Sequence, residues 1–214
     1  MRPPTSPLRI LSPALGLLPP DTPPDLFDSA VAHFSSVTWV ADRLRRPGGV
    51  LFIPQGFNPG SPLGDQFIGD TLGRNPRALR HMLCLFYPTD GQLTNGAHPI
   101  DRIETFFSVG VGLSGYEGVM HGGVICSLLD ESLGIVHELN AALGKQHPAG
   151  RSHMTASLSV DFRRPVPVPA DVCVEAWVEG VEDRKAFMRA EMKGADGVVL
   201  ASARSTWVTL KEKL

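Results

Sequence analysis

Gly118-Val-Met-His121-Gly122-Gly123-Val-Ile-Cys126-Ser127-Leu128-Leu129-Asp130-Glu131 is the stretch that decides how this chain folds. A His-Gly-Gly turn runs directly into an apolar helical pattern, and an acid stands nine residues after the histidine. Adjacent glycines let a ligand approach the backbone closely. A helix starting there points unpaired N–H groups, and the positive end of its dipole, at whatever binds. An acid two and a half turns further on, inside an otherwise oily helix, is costly to bury unless it has a use. Positions 123, 127, 130 and 134 share one helix stripe, occupied by Gly123, Ser127, Asp130 and Gly134. Small residues around an acid leave the room that a substrate needs. Backbone donors plus a carboxylate are a minimal kit for attack on an acyl carbonyl.

On either side of that helix, predicted over 123–140, the sequence alternates. Ile103, Thr105, Phe107, Val109 and Val111 interleave with Glu104, Phe106, Ser108 and Gly110, which predicts a strand. Thr155–Arg163 puts Ala156, Leu158, Val160 and Phe162 on one face and Thr155, Ser157, Ser159, Asp161 and Arg163 on the other. Val172, Val174, Ala176 and Val178 repeat the pattern, as do Ala186, Met188, Ala190 and Met192. Asp196-Gly197 is a hairpin turn into a last strand ending near Leu210. A strand, a buried helix and then a meander of about four strands make an α+β layout.

The N-terminal part is less regular. Residues 1–24 are punctuated by proline and predict a draped tail without regular structure. From Asp25, the spacing of Phe27, Ala30, Val31, Phe34, Val37, Val40 and Leu44 predicts one helix, stopped by Arg46-Pro47-Gly48-Gly49. Residues 50–75 predict a structured loop, and Leu79–Tyr87 suits either a strand or a helix. The divisions expected are therefore 1–24 as tail, 25–75 as a helical and loop extension, and 76–214 as the main domain.

With 214 residues, 43% of them hydrophobic and 20% charged, the chain has the make-up of a soluble globular protein. A formal charge of −2 gives no support for nucleic acid as a partner. No apolar run reaches membrane-spanning length. Cys84, Cys126 and Cys173 are odd in number and set in apolar runs, which argues against a disulfide framework and for a reducing, cytoplasmic setting. Arg2 and Arg9 without an acid faintly suggest a mitochondrial transit peptide, but six prolines in the first twenty residues oppose its amphipathic helix. His137-Glu138-Leu139-Asn140-Ala141 lacks the second histidine of a zinc-protease helix, and no paired-cysteine motif, Gly-x-Ser-x-Gly elbow or P-loop occurs, so no metal site is expected. Cys126 reads as a core filler, since no basic partner is evident.

The element order and four pieces of sequence resemble the hotdog-fold thioesterases, in the phenylacetate-pathway-like branch and its eukaryotic relatives. The pieces are Gly118-Val-Met-His121-Gly122-Gly123, Leu128-Leu129-Asp130, Thr155-Ala-Ser-Leu-Ser-Val-Asp-Phe-Arg-Arg-Pro165-Val-Pro, and Glu182-Asp-Arg184-Lys185. The similarity covers roughly residues 75–210. It implies a curved antiparallel sheet around a central helix, a homodimer or dimer of dimers, and an acyl-CoA or carrier-protein thioester as substrate, with no cofactor beyond the coenzyme A of the substrate itself. It implies Asp130 as general base or nucleophile and Gly122 and Gly123 as donors to the thioester oxygen. It also implies Thr155 as a contact to the acid of the other protomer.

Bland readings stand beside each of these. Asp130 could cap a neighbouring loop; the double glycine could serve a tight turn alone; His121 could fix that turn or touch the thioester. Thr155 could be an ordinary strand residue, with Ser157 its alternative on the same face. Glu131, on the stripe with Val124, Leu128 and Ile135, suits a salt bridge or an interface hydrogen bond. Ser127 and Ser157 are candidate substrate contacts, and Arg163, Arg164, Arg184 and Lys185 could meet the phosphates of coenzyme A or form a solvated rim. Ser114-Gly115-Tyr116-Glu117 holds no Asn or Gln where some family members carry an amide. The rivals to hydrolysis in lipid or secondary metabolism are a hotdog dehydratase or hydratase and a non-catalytic acyl-ligand or partner-binding module.

Overall fold

The computed structural model describes residues 8–58, 67–145 and 153–209. The alternating segments form strands, and the apolar run after the double glycine forms one long helix. In chain order the elements are α1 (Leu26–Ser36), α2 (Thr38–Leu44), β1 (Val50–Phe52), β2 (Leu79–Phe86), β3 (Arg102–Val109), β4 (Ser114–Tyr116), β5 (Val119–Met120), α3 (Gly122–Ala142), β6 (His153–Phe162), β7 (Ala170–Glu182), β8 (Lys185–Lys193) and β9 (Val199–Thr209). Seven strands make one sheet in the order β1-β2-β3-β7-β8-β9-β6, every neighbouring pair antiparallel, while β4 and β5 form a separate short pair.

α3 packs on β3, β6, β7, β8 and β9. Leu128, Leu129, Leu133, Ile135, Val136 and Leu139 of the helix are buried, as are Ile103, Phe107, Val172, Val174, Ala176, Met188 and Ala190 of the strands. This is the hotdog fold, an α+β architecture whose sheet wraps a central helix. A helix apolar nearly all round is stable only when enclosed in this way. The sheet's other face is covered by the N-terminal helices. Phe34 of α1 packs on Phe106, and Arg43 of α2 pairs with Glu104 and Glu175.

Several expectations change. The single N-terminal helix is two, because Val37 takes an extended conformation (ψ 106°) after the Ser35-Ser36 pair. Residues 8–24 are not a loose tail: Ile10 and Leu11 are buried, and Leu11 bridges to Ile53. The first seven residues and Leu210 lie outside the described residues, as does part of the 50–75 loop. Leu79–Phe86 is a strand, with Met82 and Cys84 paired to Phe107 and Thr105. The last four strands are not a simple meander. β6 crosses to the far edge and pairs with β9, while β7, β8 and β9 run consecutively. The crossing follows from the proline-rich connection 163–169, which passes under β5 with Met120 N–H donating to Val166 O at 2.8 Å.

At the β6 edge the register slips between Thr155 and Ser157: Thr155 pairs with Trp207 and Ser157 with Thr206. Ala156 is the extra residue of a β-bulge, which rephases the strand. Thr155 therefore shares a face with Trp207, and Leu158 and Val160 share that face with Ser205 and Ala203. The strict alternation of the sequence would have placed Thr155 with Ser157; the bulge sets them on opposite faces.

Candidate active site

The His-Gly-Gly turn starts α3 as expected, with a division of labour among its three residues. His121 is the N-cap, in extended backbone conformation, and its Nδ1 accepts the Gly123 N–H at 3.0 Å. The Val124 and Ile125 N–H groups donate to the His121 carbonyl. Of the first-turn amides, Gly122 N–H is the one with no acceptor among the described residues. Gly123 N–H is thus taken by the cap, and the Gly122 N–H at the helix start is left without an internal acceptor. A Cβ at Gly122 would lie 3.4 Å from the Phe162 ring, and the absence of one keeps this amide approachable. Ser127 sits on the same stripe, but its hydroxyl donates to Gly123 O at 2.9 Å, one turn back in its own helix.

Asp130 follows on that stripe, half-buried. Thr155 Oγ1 donates to Asp130 Oδ1 at 3.0 Å. The bulge at Ala156 produces this contact by turning Thr155 toward the helix. Both residues belong to one chain, so this contact is made within the protomer. Burial pushes the Asp130 carboxyl above its ordinary range, and the Thr155 hydrogen bond opposes this in part. Ser157 faces away and contributes its carbonyl to Ser205 Oγ at 2.9 Å.

A cavity of about 600 Å³ opens beside the helix N-terminus, lined by Gly115, Tyr116, His121, Gly122, Phe162, Arg163 and Arg164 among others. Arg163 Nε donates to Ser202 Oγ at 3.2 Å. Arg184 and Lys185 are not part of this rim. They lie at the β7–β8 turn, where Lys185 pairs with Val208 and Arg184 donates to the Thr209 carbonyl. Thr209 pairs with His153, at the opposite end of β6 from Phe162. The sequence could not separate the two basic pairs, because both sit at strand ends and only the crossing of β6 sends them apart.

Glu131 makes no salt bridge and no hydrogen bond among the described residues of this chain. It faces the other side of α3, against Gly56, where a Cβ would fall 2.2 Å from its Oε1. Burial, with Glu138 and Asp130 nearby, pushes its carboxyl well up, and burial does the same to Glu138.

Two residues escape sequence reasoning. His137, one stripe position beyond Gly134, is buried and stacks on His153 with centroids 4.0 Å apart and planes 6° from parallel. Trp207 lies under Gly134, its Cη2 3.1 Å from where a Cβ would stand. The signal available was the seven-residue spacing from Asp130 to His137; the strand partners depend on the bulge.

Residues 117–201 match the family model described as the thioesterase superfamily. Among curated proteins, the chain is 30% identical over 101 residues to the acyl-coenzyme A thioesterase THEM4 of Bos taurus, covering 47% of this chain and 38% of that protein. It is 29% identical over 124 residues to the Xenopus laevis protein of the same name, covering 58% of this chain and 42% of that one. The match thus spans about two fifths of the length of these relatives. A solved structure of a hypothetical thioesterase protein with coenzyme A from Streptococcus pneumoniae superposes with a TM-score of 0.46 at 16% identity, over 54% of this chain and 86% of that one. The matched residues 117–201 hold the His-Gly-Gly turn, the whole of α3 and β6 to β8.

Proposed function

We propose that the chain hydrolyses acyl thioesters, with acyl-CoA the substrate class that its relatives' name supplies and a carrier-protein thioester as the variant to test. The observation that carries this reading is the Asp130–Thr155 pair. It puts a half-buried carboxylate, held by a hydroxyl, on the same helix stripe as the start of α3, where the Gly122 amide is free to donate.

In the reaction the thioester carbonyl takes the Gly122 N–H, where the helix dipole favours the negative charge that develops. Asp130, and not a metal, supplies the base: its carboxylate removes a proton from a water as that water's oxygen bonds to the carbonyl carbon. The C–S bond then breaks, the proton passes to the departing sulfur, and a carboxylic acid and a thiol leave. A carboxyl raised above its ordinary range is a stronger base for this step, which is the usual reason to bury one. Arg163 and Arg164, beside the cavity at the helix start, suit the phosphates of the thiol's carrier. The outer edge of β6 carries Met154 and Phe162, 59% and 57% exposed. Pairing of two chains along this edge would cover both and give a homodimer.

Thiol release measured over a panel of acyl-CoAs, with Asp130→Asn alongside, tests the reading. Turnover by the wild-type chain that the variant loses supports it. No thiol release from any acyl-CoA or acyl-carrier thioester removes it, and hydration of an enoyl thioester instead would favour the hydratase alternative.

A further inference from the structure

On the outer face of the sheet, three strands line up a short polar row under α1. His81 of β2 pairs in register with Ser108 of β3, and Ser108 with Asp171 of β7. The next row on this face is Leu83, Phe106 and Cys173, where Phe106 takes Phe34 of α1. His33, beside Phe34 in the last turn of α1, reaches the polar row. Its Nε2–H donates to Asp171 Oδ1 at 2.8 Å. Its ring stacks on His81 with centroids 4.4 Å apart and planes 17° from parallel. His33, His81 and Asp171 are all half-buried. Ser108 is fully buried, and its Oγ has no partner among the described residues.

We propose that the stacked His33 and His81 form an acid-operated latch for the N-terminal extension: protonation of the second ring of the pair releases α1 from the sheet. The proposal does not depend on the thioesterase reading above. Few groups face the two rings. Asp171 comes from β7 and Arg80 from β2 itself, while β3 offers only the uncharged Ser108 hydroxyl. A first proton on the pair is matched by the carboxylate 2.8 Å from His33. A second puts like charges face to face at 4.4 Å and half out of water. No second acid is in hydrogen-bond or ion-pair contact with either ring among the described residues. Burial, with the His33 ring and the Arg80 guanidinium nearby, holds His81 below the ordinary histidine range, and Asp171 opposes this in part. The neutral His81 ring therefore suits the docked helix, and a proton on it favours the open one. The sign follows: docking is at full strength above the ordinary histidine value of about 6.5 and weakens as pH falls below it. Val37, extended between α1 and α2, is the hinge. Arg43, whose charge does not titrate, keeps α2 on Glu104 and Glu175.

The test is amide hydrogen exchange of the full chain, read as protection factors so that the intrinsic pH dependence of exchange divides out. One proton taken up per opening changes the opening equilibrium by at most about tenfold per pH unit. Between about pH 7 and about pH 5, α1 amides should therefore lose about 10-fold in protection, while α2 amides keep theirs. A local readout is needed because Glu131 and Glu138 shift overall stability in the opposite sense over this range. His81→Phe keeps a flat ring under His33 that cannot charge, and makes α1 protection independent of pH. Should that variant fail to fold, His81→Gln removes the same charge. Asp171→Asn takes away the counter-ion and deepens the loss at the acid end. Protection of α1 that stays level in the wild-type chain, or falls as far in the uncharged His81 variant, overturns the latch. A loss shared equally by α2 overturns it too, since the whole extension is then unfolding.

Discussion

Thr155 and Asp130 of one chain are joined by a 3.0 Å hydrogen bond in which the hydroxyl donates to the carboxylate. Burial raises the Asp130 pKa, and this bond, which stabilises the charged form, lowers it by a smaller amount. In the proposed role of base Asp130 works ionised, so kcat/KM should rise with pH through a midpoint above the ordinary aspartate range. Thr155→Val removes the donor, leaving burial unopposed. The midpoint should then move to still higher pH, and kcat should fall on the order of 10- to 1,000-fold. A pH–rate profile whose acid limb stays in place, or moves down, would show that the bond does not bear on the active carboxylate.

Asp130→Asn keeps the shape of the side chain and removes the proposed base. Turnover should drop by about 10²- to 10⁴-fold, the usual worth of general-base catalysis. Thermal unfolding should not fall, because the change neutralises a half-buried charge that has no cation partner among the described residues and keeps an oxygen for Thr155 to donate to. A variant with wild-type kcat would pass the role to another group, Glu131 being the next to test.

Because the two residues meet within one chain, mixing Asp130→Asn chains with Thr155→Ala chains should restore nothing. Every site in a mixed dimer would carry one lesion or the other. A site shared across protomers would instead place both lesions together and leave one site whole, so activity above the mean of the two parents, with exchange verified, would return Thr155 to the partner's site.

The helix, the strands and the acid were legible because their periods are local: 3.6 residues for 123–140 and two for each strand. Asp130 stood out as an acid among small residues on a buried stripe. What the pattern could not carry was the bulge at Ala156. An alternating string reads the same with or without one extra residue, yet that residue decides whether Thr155 or Ser157 faces the helix. The same limit hid the His137–His153 stack. The paths of β6 and of the extension were unreadable for another reason: they depend on which distant segment covers which edge. Nothing near Ile10 and Leu11 announces that they pack by Ile53.

On the far side of α3, Glu131 and Glu138 supply a measurement of stability. Burial, with mutual repulsion for Glu131, pushes their carboxyls up to about 8 and about 7. Beside burial, Glu138 and Asp130 press on Glu131, while burial alone raises Glu138; Gly56, against Glu131 Oε1, carries no charge. The sign follows from proton counting. In the unfolded chain both acids ionise near the ordinary glutamate value, so between there and neutral pH the folded state holds more protons. Stability is then greatest below that ordinary value and is lost as pH rises through about 7 and 8. Urea midpoints should therefore fall steadily from about pH 5 to about pH 8 and level off above, where both states are ionised. Glu131→Gln removes one titrating group. It should flatten that slope and raise the midpoint at alkaline pH, while leaving the midpoint near pH 5 close to wild type. An unchanged slope in the variant would mean that Glu131 ionises in the folded protein at its ordinary pH, reached by water or by a partner, and that its contact with Gly56 opens at little cost.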